Sequence, residues 1–371
     1  MEFRMENKKI LFVVPCNTYF PSGIVRVSHF LPLFEEDNIQ YQIINYYSSF
    51  SQYLLRWLNR SIFHKNKWTD LVVRILFHLI GIPQHFFCMI QTLLYSVGYD
   101  VLFLQATLFP AWLIKILIKL YKNVVFDFDD AWYLQKEKLT IDSIKYANHV
   151  IGGSHALCEF AKQYNTNVTL IPSSIPMGKY DAIINESNND LVRIGWLGGN
   201  TSIDQLSLLA EPLKYLVENN YQFEFVIAGS DNLHTVLHDI PGLIITEIPS
   251  YKDTEIPKIV KSFDIGVMPL HDTPSQQGRC GYKLLIYMAA GVPSISSPVG
   301  EANYIMNHEI SGLFADSTEE WIINLTKLIE DPGLRKKYIR NGIKTINERY
   351  SIQYNYPLLK SILFTYIIGE N

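Results

Sequence analysis

The chain has 371 residues, of which 48% are hydrophobic, 13% aromatic and 18% charged, so it can fill two or three folded domains and is not intrinsically disordered. Its 32 Lys and Arg against 36 Asp and Glu give a net charge of −4, which argues against a general nucleic-acid-binding protein. The four cysteines are widely spaced, a pattern that predicts neither a metal site nor a disulfide framework and is typical of a reduced, cytoplasmic setting.

The apolar runs of the sequence predict no secretory signal and no membrane span. The run at 10–14 stops at Pro15, and the longer runs near 71–91 and 107–120 are broken by Lys, Arg and His, whereas a span takes about 20 apolar residues. Residues 51–80 are basic and rich in Trp, Leu and Phe, which is typical of helices on anionic membrane surfaces and also of ordinary helices packed on a sheet. We therefore expect a cytoplasmic protein, with peripheral contact of 51–80 with the inner membrane surface as an open hypothesis.

Short apolar runs alternate with helix-like stretches along the whole chain, a pattern typical of parallel sheets covered by helices. In chain order the first series of predicted strands is 9–14, 40–45, 100–104, 123–128, 148–152 and 167–171. The second series is 192–197, 222–228, 243–247, 264–268 and 293–296. The polar stretch 185–190 between the two series predicts an interdomain linker. We predict two doubly wound domains, 1–185 and 186–350, and a closing helix over 351–371 that packs back toward the first domain.

Ligands of doubly wound sheets bind outside the carboxyl ends of the strands, so the loops at those ends are the candidate sites. The first such loop contains Ser22, Gly23 and Arg26 and lacks the full Gly-x-Gly-x-x-Gly, which argues against a dinucleotide cofactor.

Three carboxylates, Asp127, Asp129 and Asp130, stand at the end of a hydrophobic strand. Such a cluster is electrostatically costly, so we expect it to meet a cation or polar partners. Three interpretations stay open: a Mg²⁺ or Mn²⁺ site, acceptor binding with proton handling, or a structural role in which Asp127 is paired and Asp130 caps the next helix. The strand-Asp-x-Asp pattern is also the nucleophile loop of haloacid-dehalogenase-like phosphatases, although the usual Gly-Thr is replaced here by Asp130-Ala131.

The loops of the second domain indicate an anion site. Glycines let the backbone approach a ligand, and N–H groups at a helix start favour phosphate, although a plain tight turn has the same glycines. In the loop 195–202, Ser202 and Gln205 are spaced as a capping box for the helix that follows. The candidates for donor binding in these loops are Gly198, Gly199, Asn200, Gly300, Glu301 and Ala302.

Two cations, Arg279 and Lys283, precede and open a predicted helix over 282–290 that ends at Gly291. Positive charge is unfavourable at a helix start, so we expect the pair to meet an anion, most naturally a diphosphate. The alternative is two solvated surface cations.

Taken in order, these motifs resemble the retaining glycosyltransferases of family four, which have the GT-B fold. The resemblance is strongest from Phe263 to Phe314, and it extends to 147–154 and 168–172 in the first half and to 334–351 near the end. It implies an α/β fold of two doubly wound Rossmann-like domains that face each other across a cleft.

The activity implied by the resemblance is transfer of a sugar, with its anomeric configuration kept, from a nucleotide-sugar donor to a glycan, lipid-linked or protein acceptor. The donor would bind the second domain and the acceptor the first, with no cofactor and no metal, because basic side chains and helix starts carry the charge of the diphosphate. We expect Asp129, Asp130, Arg279 and Lys283 to be catalytic, and the loop of Ser22, Gly23 and Arg26 to lie on the acceptor side.

Three departures from the family pattern stand out. Two glutamates common in the family are replaced by Gly278 and Ile286. The loop 195–202 lacks the Arg and Lys that often hold donor phosphates. The position of the histidine that is common in the family's first domain falls near Asp129, inside the acidic run. The basic pair before helix 282–290 replaces the missing phosphate ligands, as in a subset of the family. The alternative function is therefore a non-catalytic GT-B protein that acts as partner or regulator of an active glycosyltransferase.

Overall fold

A computed structural model describes residues 8–15, 21–46, 82–181, 191–230, 237 and 239–368. The chain divides into two compact units: unit 1 is Met1–Ile171 with Tyr356–Asn371, and unit 2 is Pro172–Asn355. The predicted boundary at 185 and the basic stretch 51–80 both lie outside the described residues. Within the described part of the chain, no helix is long and apolar enough to cross a membrane.

Unit 1 contains, among its described residues, a six-stranded parallel sheet in the order β2-β1-β3-β4-β5-β6. The inner strands are continuous apolar runs because helices cover both faces of a parallel sheet. The strands lie close to the predicted ones: β1 Lys9–Val14, β2 Gln40–Asn45, β3 Val101–Gln105, β4 Asn123–Phe128, β5 His149–Gly152 and β6 Val168–Leu170.

Helices connect these strands. In chain order they are α1 Pro21–Arg26, α2 Leu31–Glu36, α3 over 82–95, α4 Ala111–Leu120, α5 Tyr133–Tyr146 and α6 His155–Lys162. Helix α6 begins at a capping serine, Ser154, whose hydroxyl accepts from the Leu157 N–H at 3.3 Å. Helix α5 has a kink at Lys136, whose backbone is non-helical.

Unit 2 repeats the architecture, with a described six-stranded sheet in the order β12-β11-β10-β7-β8-β9. Its strands are β7 Val192–Leu197, β8 Phe223–Ala228, β9 Ile245–Ile248, β10 Ile265–Met268, β11 Ser294–Ser296 and β12 Leu313–Phe314. All are parallel. Buried apolar clusters lie on the two faces of this sheet, one around Tyr287 and the other around Trp196.

The helices of unit 2 are α7 Gly178–Asp181, α8 Ala210–Glu218, α9 Ile256–Lys261, α10 Pro274–Gln277, α11 Tyr282–Ala289, α12 Ala302–Ile305, α13 Thr318–Glu330 and α14 Pro332–Thr345. The last helix, α15 Ile352–Ile368, begins in unit 2 and continues into unit 1. A 3₁₀ segment, Asn200–Leu209, precedes α8.

The later part of α15 belongs to unit 1 and is tied to it by hydrogen bonds. The Tyr356 hydroxyl lies 2.5 Å from Asp37 Oδ2, and the Asn123 amide donates to the Ile362 and Leu363 carbonyls, each at 2.9 Å. The end of the chain therefore completes the unit with which the chain began.

Both sheets have the order of a doubly wound fold, in which the chain starts inside the sheet and then reverses direction. The reversal lies between β1 and β3 in unit 1 and between β7 and β10 in unit 2. Loops on the two sides of such a reversal diverge and leave a crevice at the carboxyl ends of the strands. The predicted α/β fold with two doubly wound sheets is confirmed.

Candidate functional site

The crevice of unit 2 opens where β7 and β10 separate. These strands pair through Ile194 and Gly195, and beyond them the Tyr287 hydroxyl of α11 lies between the strands. It accepts from the Leu197 N–H at 2.9 Å and lies 3.3 Å from the Val267 carbonyl, to which it donates. One buried phenol thus fixes α11 against both strands. Tyr287 was not among the residues predicted from the sequence, although it lies one turn after Lys283 and so on the same helix face.

Lys283 stands at the start of α11 and reaches the loop after β7. Its ammonium lies over the Trp196 ring, 4.4 Å from the centroid. A Cβ at Gly198 would come 2.8 Å from Lys283 Nζ and 2.3 Å from Trp196 Cη2 and Cζ2. The glycine is therefore required for close packing of this loop on the indole ring and the lysine.

Arg279 and Lys283 form an unneutralised cationic pair. Neither makes a salt bridge with any described residue, and the buried Nε of Arg279 has no hydrogen-bond partner. Both side chains are half-buried. Burial, together with the positive charge of Arg279, lowers the pKa of Lys283 to about 7, and Asp204 opposes that shift. The arrangement differs from two solvated surface cations and suits an anionic ligand.

The loops after β7 and β8 are joined through Asn200. Its amide oxygen accepts from the Ser230 hydroxyl at 2.6 Å. Gly199 precedes the 3₁₀ segment in an extended conformation, and no side chain caps that segment. The predicted capping box of Ser202 and Gln205 is wrong, because the segment starts earlier and Gln205 Oε1 instead accepts from the His271 N–H at 2.6 Å.

The loop after β11 packs tightly against α10. Gly300 has a φ of +57°, and a Cβ there would lie 2.8 Å and 2.9 Å from the Gln277 and Gln276 carbonyl oxygens. Only glycine combines this conformation with so close an approach. Glu301 and Ala302 are 2% and 1% exposed, which leaves little of their side-chain surface for a ligand.

Two buried residues without a carboxylate, Gly278 and Ile286, occupy the positions where the family pattern has glutamate. Ile286 is 2% exposed and belongs to the apolar cluster around Tyr287. Gly278 is also buried, at the end of α10. Neither position therefore supplies a carboxylate to the crevice of unit 2.

In unit 1, Arg26 and Asp127 form a buried ion pair. The Arg26 side chain is 3% exposed and that of Asp127 1%. Nε lies 3.1 Å from Asp127 Oδ1, and Nη1 donates to the Ile171 carbonyl at 2.6 Å. The pair joins α1 to β4 and to the chain after β6. Arg26 is thus a structural residue rather than an acceptor ligand, and Asp127 is not exposed as the nucleophile of a phosphatase.

Asp129 lies in a hydrogen-bonded chain with Ser22 and Gln105. The Ser22 hydroxyl donates to Asp129 Oδ1 at 2.5 Å, and Gln105 Nε2 donates to Ser22 Oγ at 2.6 Å. Burial raises the pKa of Asp129 to about 6, and the charges of Asp127 and Asp130 add to that effect, whereas Arg26 and the Ser22 hydrogen bond oppose it. Asp129 is therefore more basic than an ordinary aspartate, which suits a group that accepts a proton.

Asp130 and Gly23 take no part in that chain of hydrogen bonds. Asp130 Oδ1 accepts from the Ala131 N–H at 2.9 Å, and α5 starts later, at Tyr133, without a side-chain cap. Gly23 is buried within α1. In the part of the chain that the structure describes, no three His, Cys, Asp or Glu side chains gather into a metal-binding group.

Residues 189–331 match the family model described as "Glycosyl transferases group 1". The match runs from just before β7 through α13 and so contains the cationic pair. A stretch of 135 residues is 27% identical to an uncharacterized glycosyltransferase of Methanocaldococcus jannaschii and covers 34% of this chain and 33% of that protein. The chain thus spans about a third of the length of this curated relative.

Solved structures extend the likeness to both units. HepE of Anabaena, in complex with UDP and glucose, aligns with a TM-score of 0.66 at 13% identity, over 96% of this chain and 99% of its own. A glycosyltransferase of Rickettsia africae ESF-5 aligns with a TM-score of 0.65 at 15% identity, over 98% of this chain and 100% of its own. Sucrose-phosphate synthase of Thermosynechococcus elongatus aligns with a TM-score of 0.65 at 11% identity, over 98% of this chain and 100% of its own. The chain has the GT-B fold. At these identities the likeness is one of fold, and the GT-B fold by itself supports many activities.

Proposed function

We propose that this GT-B chain is a hexosyltransferase that moves a sugar from a nucleotide-sugar donor to a glycan, lipid-linked or protein acceptor with its anomeric configuration kept. The observation that carries the proposal is the pair of Arg279 and Lys283, two cations without a carboxylate partner among the described residues, beside the loop after β7. A nucleoside diphosphate is the natural anion for such a pair next to a glycine loop. The match of 189–331 to the group 1 family supports this choice.

In this proposal unit 2 binds the donor and lowers the barrier by charge. The diphosphate gains negative charge as the sugar leaves, so the two cations bind the departing group more tightly than the intact donor. Arg279 supplies planar donors, and Lys283 supplies a compact charge. These side chains replace the divalent metal that other transferases use, and the proposal includes no metal and no cofactor.

We assign the acceptor to unit 1, with Asp129 as the group that takes the proton of the attacking hydroxyl. Its pKa of about 6 and its hydrogen bond from Ser22 support this role. Asp130, the next carboxylate along the chain, is the second acceptor-side catalytic candidate.

Turnover of nucleotide sugars tests the proposal directly. We expect the chain to release a nucleoside diphosphate from one nucleotide sugar in the presence of an acceptor, and the variants R279A and K283A to lose this activity. The anomeric proton coupling of the product, measured by NMR, tests retention. Tight nucleotide binding with no turnover of any donor would contradict the enzymatic proposal.

That last outcome would favour the second candidate, a non-catalytic partner or regulator of an active glycosyltransferase. The observation behind it is the burial of Ile286 and Gly278 at the positions where the family pattern has glutamates. A regulator would raise the rate of a co-expressed active transferase while it turned over no donor itself.

We further propose that the chain works at the cytoplasmic face of the membrane through the basic segment 51–80. Support comes from α3, which follows this segment and exposes apolar side chains at every fourth residue: Ile82, Phe86, Ile90 and Leu94. Sedimentation with anionic vesicles tests this, and substitution of the cations of 51–80 by glutamine should abolish it. Equal sedimentation with neutral vesicles would contradict the charge-based proposal.

A further inference from the structure

Unit 1 holds a cavity of about 440 Å³ at the reversal point of its sheet. Its walls come from the segments that follow three neighbouring strands, with Pro15 after β1, Ala106 after β3 and Trp132 after β4. Pockets for small ligands occupy about 300–1,000 Å³ and are found at such reversal points.

The cavity wall combines aromatic with polar side chains. Trp132, His85 and Tyr46 all line it, and the His85 ring lies 5.1 Å from that of Tyr46, centroid to centroid. Ser22 and Lys136 supply polar groups to the same lining. A ligand with an apolar ring face and a polar rim matches such walls, because aromatic rings bury the face while hydrogen bonds hold the rim.

Two of the aromatic side chains carry buried nitrogens without partners. Neither Trp132 Nε1 nor His85 Nδ1 has a hydrogen-bond partner among the described residues. The same holds for Gln105 Oε1, whose amide nitrogen donates to Ser22 in the cavity wall. Buried polar atoms are almost always satisfied in folded proteins, so three such atoms in or beside the cavity wall set this part of unit 1 apart from an ordinary core.

The backbone of the cavity wall is strained at one residue. Ala106 has a φ of +45°, a conformation that residues other than glycine rarely adopt. Its N–H donates to the Asp127 carbonyl at 2.7 Å, which holds it in place. Strain of this kind is retained mostly where a site requires it.

The cavity is connected to the proton-accepting candidate of unit 1. Ser22 lines the cavity, and its hydroxyl donates to Asp129. A hydroxyl-bearing ligand in the cavity thus lies next to the chain of hydrogen bonds that ends at this carboxylate.

We propose that this cavity is the subsite for the terminal sugar ring of the acceptor, with the rings of Trp132 and His85 as its apolar walls and with Ser22 and Lys136 as partners of its hydroxyls. The inference rests on the proposed transferase function and narrows the acceptor to a molecule that ends in a pyranose. It assigns binding roles to Trp132 and His85, which the sequence analysis did not select.

The test uses a panel of methyl pyranosides on the full chain, with saturation-transfer NMR in the absence of donor and acceptor kinetics in its presence. We expect one or a few pyranosides to bind, and W132L to raise the acceptor KM about tenfold with little change in kcat. W132F should keep most of the affinity, and H85A, which removes a ring from the cavity wall, should show an intermediate loss. The matched control is W112L, because Trp112 is exposed on α4 and does not line the cavity.

Nucleoside diphosphate affinity and donor hydrolysis without acceptor separate the two levels of the proposal. If both are intact in every variant while W132L leaves the acceptor KM unchanged, the cavity is not the sugar subsite. If no donor is bound or hydrolysed, the transferase proposal itself fails, whatever the pyranosides do. If the wild type binds donor, but transfers only to a peptide without sugar, the acceptor class is wrong.

Discussion

At the scale of single residues, Lys283 is the most informative side chain of unit 2. It lies half-buried on the Trp196 indole face next to Arg279. A ligand that supplies negative charge to both cations explains why they lie so close together. A partly buried cation without a salt-bridge partner destabilises the fold. Its presence in a loop crevice therefore indicates a role in binding an anion.

The first prediction concerns K283A. We expect nucleoside diphosphate affinity to fall by about 1.5–3 kcal/mol, the range for a hydrogen bond to a charged group, without a lower melting temperature. Calorimetric titration and a thermal melt measure the two quantities. The control is K214A, since Lys214 is exposed on α8. Equal affinity in K283A and the wild type would remove Lys283 from the site.

The second prediction concerns pH. The phosphates bind the ammonium form of Lys283, and its pKa is about 7 without ligand, so affinity must fall as pH rises through that value. For a nucleotide sugar, whose diphosphate does not titrate in this range, we expect about a 5- to 15-fold loss between pH 7 and pH 8.5, given the contribution of Lys283 in the first prediction. K283R should remove the pH dependence because arginine stays charged. A flat profile for the wild type would show that Lys283 is not the titrating group.

Sequence reasoning at this scale found residues whose chemistry conflicts with their local position. Arg279 and Lys283 were selected because cations are misplaced at a helix start. The partner of Asp127 was not found, because Arg26 lies 101 residues away and only the fold brings them together. Trp132 and His85 were missed for the same reason, since a single aromatic residue in a loop or on a helix carries no signal of its own.

At the scale of elements, α11 is the part that holds the site of unit 2 in shape. Lys283 and Tyr287 are one turn apart, so the hydroxyl that ties the helix to β7 and β10 also fixes where the ammonium lies.

The third prediction follows from this coupling. Y287F leaves the buried Leu197 N–H without its partner, so we expect about 1–3 kcal/mol lower stability, together with weaker nucleotide binding through a displaced Lys283. Denaturant unfolding and calorimetric titration report the two effects. Y215F is the matched control, because Tyr215 is 40% exposed on α8. Unchanged nucleotide affinity in a destabilised Y287F would mean that the phenol supports the fold only.

Most strands were predictable because a parallel sheet buried on both faces requires continuous apolar runs. The exception is β12, whose two residues are too short to form a pattern. The 3₁₀ segment Asn200–Leu209 was expected as a capped helix, and its start was wrong because Gln205 bonds to His271, far along the chain, rather than to its own helix. Local spacing predicts local hydrogen bonds only.

At the scale of the whole molecule, two units with the same architecture hold different chemistry. Unit 1 contains a buried ion pair and a basic carboxylate, whereas unit 2 contains unpaired cations. The alternation of strands and helices in the sequence predicted both units. It could not distinguish Asp127, whose charge Arg26 neutralises, from Asp129, which is available to accept a proton.

The fourth prediction separates the units. R26M leaves Asp127 buried without its counter-charge, so we expect about 3–5 kcal/mol lower stability for unit 1 and unchanged nucleotide affinity. The double variant R26M/D127L should recover much of the loss, because it removes the stranded charge as well. A marked fall in nucleotide affinity for the folded R26M protein would contradict the assignment of the donor to unit 2.

The most direct test of the account is a thermal-shift panel of nucleoside diphosphates and nucleotide sugars, with and without Mg²⁺, on the wild type and K283A. A ligand at 100 times its Kd stabilises the fold by about 2.7 kcal/mol, which such a melt detects readily. We predict a shift with one nucleotide series, equal with and without the metal, and strongly reduced in K283A. The absence of a shift with every nucleotide, or a shift that is the same in K283A, would contradict the claim that Arg279 and Lys283 bind the donor diphosphate.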